Sequence, residues 1–282
     1  YRFKPWTGAP IATAEEILRY MGEVIADNDL ARHIRYRHKI RSASWSSADR
    51  RWTIEAVRGD TGDTVRLTAG FLWMCQGYYR HSEGYTPEWP GMADYQGRIV
   101  HPQTWPEDLD YKGKHVLVIG SGATAATLVP AIAAECAHVT LLQRSPTYFI
   151  TGRNANVLAD MLRELDIQEE WIHEIVRRKI LFDQRNFTKR SFEEPEVVRN
   201  ELLAGVRAFL GDDYDIGTHF TPRYRPWRQR IAFIPDGDLF QGIRAGKATV
   251  VTDEIDRFTA KGILLKSGKE LEADIIVTAT GF

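Results

Sequence analysis

The sequence predicts a doubly wound α/β fold, in which parallel strands alternate with helices. Two observations support this prediction. Short apolar runs with the composition of buried parallel strands alternate with helices, and a glycine-rich turn joins one of these runs to a helix. A β-rich stretch over residues 33–70 interrupts the alternation. We interpret the β-rich stretch as an insertion between two α/β halves.

The first 80 residues are predicted to form one helix followed by strands. Thr13 and Glu16 have the spacing of a capping box, which predicts a helix that ends near residue 26. Its predicted apolar face contains Ile17, Leu18, Met21 and Val24. Strands are predicted at residues 33–44, 51–57 and 64–69. The apolar run at residues 71–75, which ends shortly before Gly77, predicts a buried parallel strand.

The remaining elements alternate as the fold class requires. Strands at residues 115–119 and 138–143 flank a helix predicted over residues 123–136. Residues 155–213 have a polar, helical pattern, and the three prolines in residues 214–235 indicate a loop. The last elements predicted are a short helix at 238–245, a strand at 249–251, a hairpin at 256–271 and a closing strand at 275–280.

Composition limits the classes of partner. A net charge of −1 gives no electrostatic reason to expect nucleic acid or an anionic membrane. No run of 18 apolar residues is present, so we expect no transmembrane segment. Cys75 and Cys136 are too far apart for a CxxC redox pair and have no zinc-site pattern. We therefore expect two buried free thiols, no metal and a cytoplasmic location.

A GxGxxA motif follows the strand at residues 115–119 and consists of Gly120, Ser121, Gly122, Ala123, Thr124 and Ala125. In such a motif the first glycine permits a tight turn, the second lets a pyrophosphate approach the backbone, and the small third residue lets the helix pack closely. The free N–H groups at the helix start then hold the phosphate. Because the motif has both its strand and its helix, it predicts a dinucleotide site; the alternative is a structural turn.

The strand after this helix ends in Gln143, Arg144 and Ser145, without an acidic residue. An acid at this place accepts the ribose 2′-hydroxyl of NAD and repels a 2′-phosphate, whereas an arginine pairs with that phosphate. The sequence therefore predicts NADPH in preference to NADH. The alternative is a surface arginine at a strand end.

An aromatic segment precedes the nucleotide motif. Its composition alone indicates a linker with a buried aromatic anchor, or a histidine and a tryptophan that brace two domains. The pattern of Tyr95, Gly97, His101 and Trp105 resembles the fingerprint FxGxxxHxxxWP of flavin-dependent Baeyer–Villiger monooxygenases, with tyrosine in place of phenylalanine. Further segments look like the bacterial ethionamide-activating subgroup, at residues 105–111, 143–148, 219–222, 235–240 and 279–281.

This resemblance implies an enzyme that uses FAD and NADPH to insert one oxygen atom from O₂ into a ketone through a C4a-peroxyflavin, or to oxygenate a sulfide. Arg230 matches the fixed cation that the family places beside the flavin. The alternative for Arg230 is a phosphate-binding or solvated residue, and Arg228 stands where relatives often carry an acid. His101 and Trp105 would couple conformations rather than transfer protons.

The resemblance also implies a fold with two dinucleotide-binding domains. It assigns residues 1–94 to a partial FAD-binding domain with a β insertion, 95–111 to a linker, 112–272 to an NADP-binding domain with a helical insertion at 155–213, and 273–282 to a return crossing. Ile40 matches a position whose backbone meets the FAD adenine. Cys75, Gly77 and Gly281 match the crossings between the domains. Ordinary strand core and plain turns are the alternatives.

The family's first FAD-binding glycine motif is not found in this sequence. We therefore expect a fragment that lacks the N-terminal FAD motif and the C-terminus, does not hold FAD firmly and is inactive alone. Two other functions compete: a flavin monooxygenase that acts on nitrogen or sulfur, and a non-catalytic NADPH-binding module. The absence of a CxxC pair disfavours a disulfide reductase. No motif predicts the substrate or the oligomeric state.

Overall fold

The computed structural model describes residues 1–281. The chain divides into two compact units. The smaller unit is Ala12–Tyr79, and the larger unit is Tyr1–Ile11 together with the chain from Arg80 onward.

The smaller unit contains a helix and an antiparallel sheet. Its elements are α1 (Ala14–Asp27), β1 (His38–Ser46), β2 (Arg51–Arg58) and β3 (Thr64–Ala69), with the strands in the order β1-β2-β3. The capping box is confirmed, because the Thr13 hydroxyl accepts from the Glu16 backbone N–H and the Glu16 carboxylate accepts from the Thr13 N–H. The first strand begins later than predicted, since a 3₁₀ turn occupies Ala31–His33. Of the predicted apolar face of α1, only Val24 is buried.

Residues 71–75 do not form the predicted buried strand. The side chains of Phe71 and Trp73 are 78% and 79% exposed. A parallel strand needs hydrogen-bonded neighbours, and no strand among the described residues pairs with this segment. The prediction of two buried thiols is therefore wrong for Cys75, which is exposed, and right for Cys136. Burial raises the pKa of the Cys136 thiol to about 11.

The larger unit contains the remaining regular elements. Its strands are β4 (Arg98–Val100), β5 (His115–Ile119), β6 (His138–Gln143), β7 (Phe149–Gly152), β8 (Ala232–Pro235), β9 (Ala248–Thr252), β10 (Ile255–Phe258), β11 (Gly262–Leu265), β12 (Glu270–Glu272) and β13 (Ile275–Thr278). Its helices are α2 (Ala123–Ala133), α3 (Val157–Glu164), α4 (Glu169–Glu193), α5 (Pro195–Leu210), α6 (Ile216–Phe220) and α7 (Asp238–Arg244).

A five-stranded parallel sheet in the order β4-β13-β5-β6-β9 is the centre of the larger unit. Successive side chains of β5 point to opposite faces. Val116 and Val118 pack in a cluster with α2, α5 and α7, whereas Leu117 and Ile119 pack against the antiparallel meander β10-β11-β12. The predicted α/β class is confirmed, with helices on one face of the sheet and the meander on the other.

Some predicted boundaries in the larger unit need correction. The helix predicted to residue 136 ends at Ala133, and the residues after it bond to the segment before β5: the Glu135 carbonyl accepts from the Gly113 N–H, and the Ala137 N–H donates to the Lys114 carbonyl. The predicted loop at 214–235 contains α6 and β8. Helix α6 is too short to show periodicity, and β8 depends on pairing with the distant strand β7. The helices predicted over residues 155–213 are confirmed as α3, α4 and α5.

Within residues 1–281, none of the helices combines the length and the apolar character that a bilayer span requires.

Candidate nucleotide-binding site

The nucleotide motif lies where β5 ends and α2 begins. Gly120 has a φ of +130°, which is open only to glycine, and its N–H donates to the Leu142 carbonyl of β6 at 2.8 Å. A Cβ atom at residue 120 would lie 2.3 Å from the Ala279 carbonyl oxygen. The tight turn predicted for Gly120 is therefore fixed both by backbone conformation and by packing against the chain that follows β13.

Gly122 precedes the first turn of α2 and lies at the surface. Its φ is −78°, and a Cβ atom there would meet no protein atom within 4 Å. No side chain caps α2, so the N–H groups of its first turn face an open surface. Ala125, by contrast, is 0% exposed and packs in the core between α2 and the sheet. This arrangement has the free donors and the space that a bound phosphate requires.

The segment that follows β6 is fastened to this loop. The Ser121 hydroxyl donates to the Ser145 carbonyl at 3.2 Å and lies 3.2 Å from the Thr147 hydroxyl. Arg144, which separates Gln143 from Ser145, is exposed. Glu254 lies after β9, and the pKa of its carboxyl is lowered mainly by a hydrogen bond from Lys266 and further by the charge of Arg144. The guanidinium therefore lies at the carboxyl end of the sheet, where the glycine loop also lies.

The side chain of Gln143 is buried, with 2% exposure, whereas the adjacent Arg144 is exposed. Its amide donates to the His219 carbonyl at 2.7 Å and to the Thr252 hydroxyl at 2.9 Å. The Thr252 hydroxyl in turn lies 2.8 Å from Nδ1 of His219, whose pKa is lowered by burial. The side chain of Gln143 thus supports the end of β6 from inside, and its predicted contact with a cofactor stays a prediction.

The aromatic segment begins with a buried tyrosine. Tyr95 is 8% exposed, its hydroxyl donates to the Ala273 carbonyl at 2.9 Å, and burial raises its pKa to about 12. A Cβ atom at Gly97 would lie 2.3 Å from the Tyr95 hydroxyl and 2.5 Å from the Asp274 carbonyl oxygen. The spacing of Tyr95 and Gly97 is therefore required by close packing against the start of β13.

His101 joins two segments that are distant in sequence. Its Nδ1 accepts from the Gln103 N–H at 3.1 Å, so the neutral ring carries its hydrogen on Nε2 and donates to the Gly281 carbonyl at 3.0 Å. A Cβ atom at Gly84 would lie 1.9 Å from the ring. Trp105 contacts Tyr111 edge to face, with ring centroids 6.0 Å apart. The structure thus brings His101 and Gly281 together, which the spacing alone did not predict.

Arg230 lies in the loop that precedes β8 and is exposed. The Tyr148 hydroxyl donates to the Tyr224 carbonyl at 2.8 Å, so this loop is fastened to the same post-β6 segment that contacts Ser121. The nearby guanidinium of Arg225 lies 3.9 Å from the ring centroid of Phe192. Within the described part of the chain, no carboxylate lies within ion-pair distance of Arg230, so its charge is available to a ligand.

The predicted FAD contacts are divided between the two units. Ile40 is 60% exposed beside a bulge in β1, and Cys75 and Gly77 are also exposed in the smaller unit. Gly281 has a φ of +113° and belongs to the larger unit. These four contacts stay predictions. No cluster of three or more histidine, cysteine, aspartate or glutamate side chains suited to a metal ion occurs within residues 1–281.

Comparison with known proteins identifies two similar monooxygenases. The chain is 47% identical to the FAD-containing monooxygenase EthA of Mycobacterium tuberculosis, in an alignment that covers all of this chain and 57% of that protein. It is 42% identical to the probable FAD-binding monooxygenase AlmA of Acinetobacter, covering all of this chain and 56% of that protein. The chain therefore spans a little more than half the length of these relatives.

Solved structures show the same fold. An oxidized steroid monooxygenase bound to NADP aligns with 99% of this chain and 58% of its own, at a TM-score of 0.72 and 24% identity. The open crystal structure of cyclohexanone monooxygenase aligns with 96% of this chain and 58% of its own, at a TM-score of 0.69 and 22% identity. The model of the flavin-binding monooxygenase-like family matches residues 10–180, and the chain belongs to that family.

Proposed function

We propose that this chain supplies the NADPH site of an FAD- and NADPH-dependent monooxygenase that inserts one oxygen atom from O₂ into ketones or oxygenates sulfur compounds. Membership of the flavin-binding monooxygenase-like family supports the general activity. One observation carries the proposal. The uncapped start of α2 and the exposed Arg144 both lie at the carboxyl end of the parallel sheet.

The residues at this end of the sheet suit the pyrophosphate and the 2′-phosphate of NADPH. The first-turn N–H groups of α2 and the positive end of its dipole stabilise a pyrophosphate, and the missing side chain at Gly122 leaves room for it. Arg144 offers a planar fork of donors for the 2′-phosphate. The contacts of Ser121 with the post-β6 segment hold the two parts of the site in a fixed relation.

FAD would supply the redox and oxygen chemistry, and the protein would orient it and balance charge. Arg230 would offer a positive charge to the negative charge that develops in this chemistry, and no carboxylate among the described residues lies within ion-pair distance of it. His101 holds the Gly281 carbonyl at one of the predicted crossings between domains, which gives it a positioning role. Residues 1–94 would form part of the FAD domain, and residues 112–272 would form the NADP domain.

The cofactor preference is tested by replacing Arg144 with alanine in the whole protein as its gene encodes it. We expect the affinity for NADPH to fall about 10- to 100-fold, since charge-assisted hydrogen bonds to the phosphate are lost, and the affinity for NADH to change less than about threefold. Arg98→Ala is the matched control, because Arg98 is also exposed but lies at the opposite end of the parallel strands. Equal losses for NADPH and NADH would contradict the role of Arg144.

The reaction class is tested by supplying the same protein with NADPH, O₂ and either 2-octanone or methyl phenyl sulfide. An ester from the ketone, identified by mass spectrometry, supports the Baeyer–Villiger reaction. A sulfoxide without any ester would support the alternative of heteroatom oxygenation. Tight NADPH binding with no oxygenated product from either compound would indicate a non-catalytic nucleotide-binding protein.

A further inference from the structure

A cavity of about 550 Å³ lies in the larger unit, between residues 5–10 and the helices α3 and α4. None of the residues that we assign to NADPH or FAD lines it. Its volume falls within the range of roughly 300–1,000 Å³ that is common for small-molecule sites. The class of ligand that it accepts follows from which of its polar side chains already have partners.

One wall of the cavity is a short segment that is held firmly in place. The Asn154 side chain pairs with both backbone groups of Ile11, accepting from its N–H at 2.8 Å and donating to its carbonyl at 2.9 Å. Within the segment, the indole N–H of Trp6 donates to the Ala9 carbonyl at 2.8 Å. This wall therefore has a defined conformation, although it contains no helix or strand.

The apolar part of the lining comes mainly from α4. Ile172, Val176 and Ile180 are spaced four residues apart, so they lie along one side of that helix. Pro5 and Trp6 also line the cavity. These side chains form a surface on which the hydrocarbon part of a ligand is favourably removed from water.

The acidic side chains of the lining are already paired. The Arg163 guanidinium lies 3.0 Å from the Asp160 carboxylate, and it donates to both oxygens of Glu169, at 2.6 and 3.4 Å. A cationic ligand would therefore have to compete with Arg163 for these two carboxylates. Glu169 also lies eight residues before Arg177 on α4, a separation of about 12 Å at 1.5 Å per residue.

Arg177 is the charged side chain of the lining that has no ion-pair partner within residues 1–281. It is exposed, so its guanidinium lies at the solvent side of the cavity. His173 lies one turn earlier on the same side of α4, is half-buried, and makes no hydrogen bond or ion pair with another described residue. A guanidinium can hold a carboxylate through two parallel hydrogen bonds, and the imidazole N–H adds a third donor.

The other lining side chains with unused hydrogen-bonding capacity are donors as well. The side-chain oxygen of Asn156 accepts from the Ala159 N–H at 3.2 Å, which leaves its NH₂ group unused. The Thr7 hydroxyl makes no hydrogen bond with any described residue and is free to donate. The unused polar groups of the lining thus favour a ligand that accepts several hydrogen bonds, and the unpaired charge favours an anion.

We propose that this cavity binds an amphipathic carboxylate, whose charged group lies between Arg177 and His173 and whose hydrocarbon chain packs on the apolar side of α4. The exposure of Arg177 suits such a molecule, because the charged group stays near water while the chain is buried. This site goes beyond the proposed function and does not rest on it, since its residues are separate from those of the cofactor sites.

The test measures binding of octanoate by calorimetry to the whole protein as its gene encodes it. Octylammonium has a similar chain and the opposite charge. We expect octanoate to bind at least about tenfold more tightly than octylammonium. Octylammonium that binds as tightly as octanoate would overturn the inference. So would the absence of octanoate binding below about 1 mM, which is the result expected if another part of the protein fills the cavity.

A first variant tests the charge. We expect Arg177→Gln to weaken octanoate binding about 5- to 10-fold, because the ion pair is lost, and to change the binding of uncharged 1-octanol less than about twofold. Arg178→Gln is the matched control, since Arg178 is the next residue of α4 and is also exposed but does not line the cavity. Equal losses of octanoate binding in the two variants would overturn the role of Arg177.

A second variant tests the apolar wall. We expect Val176→Phe to weaken the binding of octanoate and of 1-octanol about tenfold or more, because the added ring fills the cavity. Ile175→Phe is the matched control, since Ile175 precedes Val176 on α4 and does not line the cavity. Equal effects of the two phenylalanine variants would contradict the placement of the chain. Thermal unfolding checks that every variant folds.

Binding of NADPH separates this inference from the proposed function. We expect all four variants to bind NADPH with an affinity within about twofold of that of the unmodified protein, because none of them alters the nucleotide site. If octanoate binds as expected but the protein oxygenates neither ketone nor sulfide, the proposed function fails and the carboxylate site stands. If oxygenation occurs without octanoate binding, the carboxylate site fails and the proposed function stands.

Discussion

Strand β5 and residues 71–75 are both short apolar runs that lie beside a glycine, yet their environments are opposite. In β5, Leu117 is 0% exposed, and the strand is hydrogen-bonded by β13 on one edge and β6 on the other. In the second run, Phe71 and Trp73 are more than three-quarters exposed, and no described strand pairs with them. An apolar run has the capacity to form a buried strand, but its neighbours determine whether it does so.

The nearby glycines differ in the same way. Gly120 and Gly77 both have positive φ angles, of +130° and +71°. A Cβ atom at Gly120 would collide with the Ala279 carbonyl, whereas one at Gly77 would meet no atom within 4 Å. A left-handed backbone is thus shared by both positions, and steric enclosure is found at only one.

Leu117→Ala should have the largest effect on stability. We expect the free energy of unfolding, measured by urea denaturation, to fall by about 2–5 kcal/mol, because a fully buried side chain is lost and a cavity remains. Trp73→Ala is the counterpart and should change the free energy by less than about 0.5 kcal/mol, since its side chain is 79% exposed. A loss of several kcal/mol in Trp73→Ala would show that residues 71–75 are packed in solution.

Gly120→Ala should have the next largest effect. We expect a loss of about 2–4 kcal/mol, which combines the strained φ with the contact against Ala279. Gly77→Ala should cost only about 1–2 kcal/mol, because only the left-handed conformation opposes it. Similar losses at the two positions, in the same denaturation assay, would mean that enclosure adds nothing at Gly120.

Tyr95→Phe should have the smallest effect at neutral pH, about 1–2 kcal/mol, because the Ala273 carbonyl loses its donor. The folded pKa of Tyr95, about 12, lies above its ordinary value of about 10. The folded state therefore keeps this proton to a higher pH than the unfolded state does. The contribution of this pKa shift to the free energy of unfolding is fully present below pH 10 and is lost as the pH rises towards 12.

The pH profile adds a second measurement for this variant. Between pH 10 and 12, the stability of Tyr95→Phe should fall less steeply than that of the unmodified protein. Tyr78→Phe should follow the unmodified protein, since Tyr78 is 85% exposed. Identical slopes of the free energy of unfolding against pH for all three proteins would contradict the assignment of Tyr95 as a buried titrating group.

The parts of the fold that were predictable from the sequence are those with local causes. The bounds of β5 and β6 follow from apolar runs, and the start of α2 follows from the glycine motif between them. The capping box at Thr13 was also predictable, because its two partners are three residues apart.

The parts that were not predictable join residues far apart in the chain. Gln143 is 76 positions from His219, and His101 is 180 positions from Gly281. Asn154 holds Ile11 across 143 positions, with no local pattern that marks either residue. Hydrogen bonds of this kind depend on the completed topology, so the sequence indicated the nucleotide loop but not the contacts that support it.

The two glycines of the nucleotide loop are constrained by the fold to different degrees. Alanine at position 120 is opposed by the fold itself, so glycine should persist there even in a descendant that no longer binds a nucleotide. Position 122 has an ordinary φ and free space, and the fold would tolerate alanine there. In a lineage that no longer binds a nucleotide, we expect position 122 to be substituted before position 120. A substitution at position 122 alone would then indicate that binding was lost while the fold was retained.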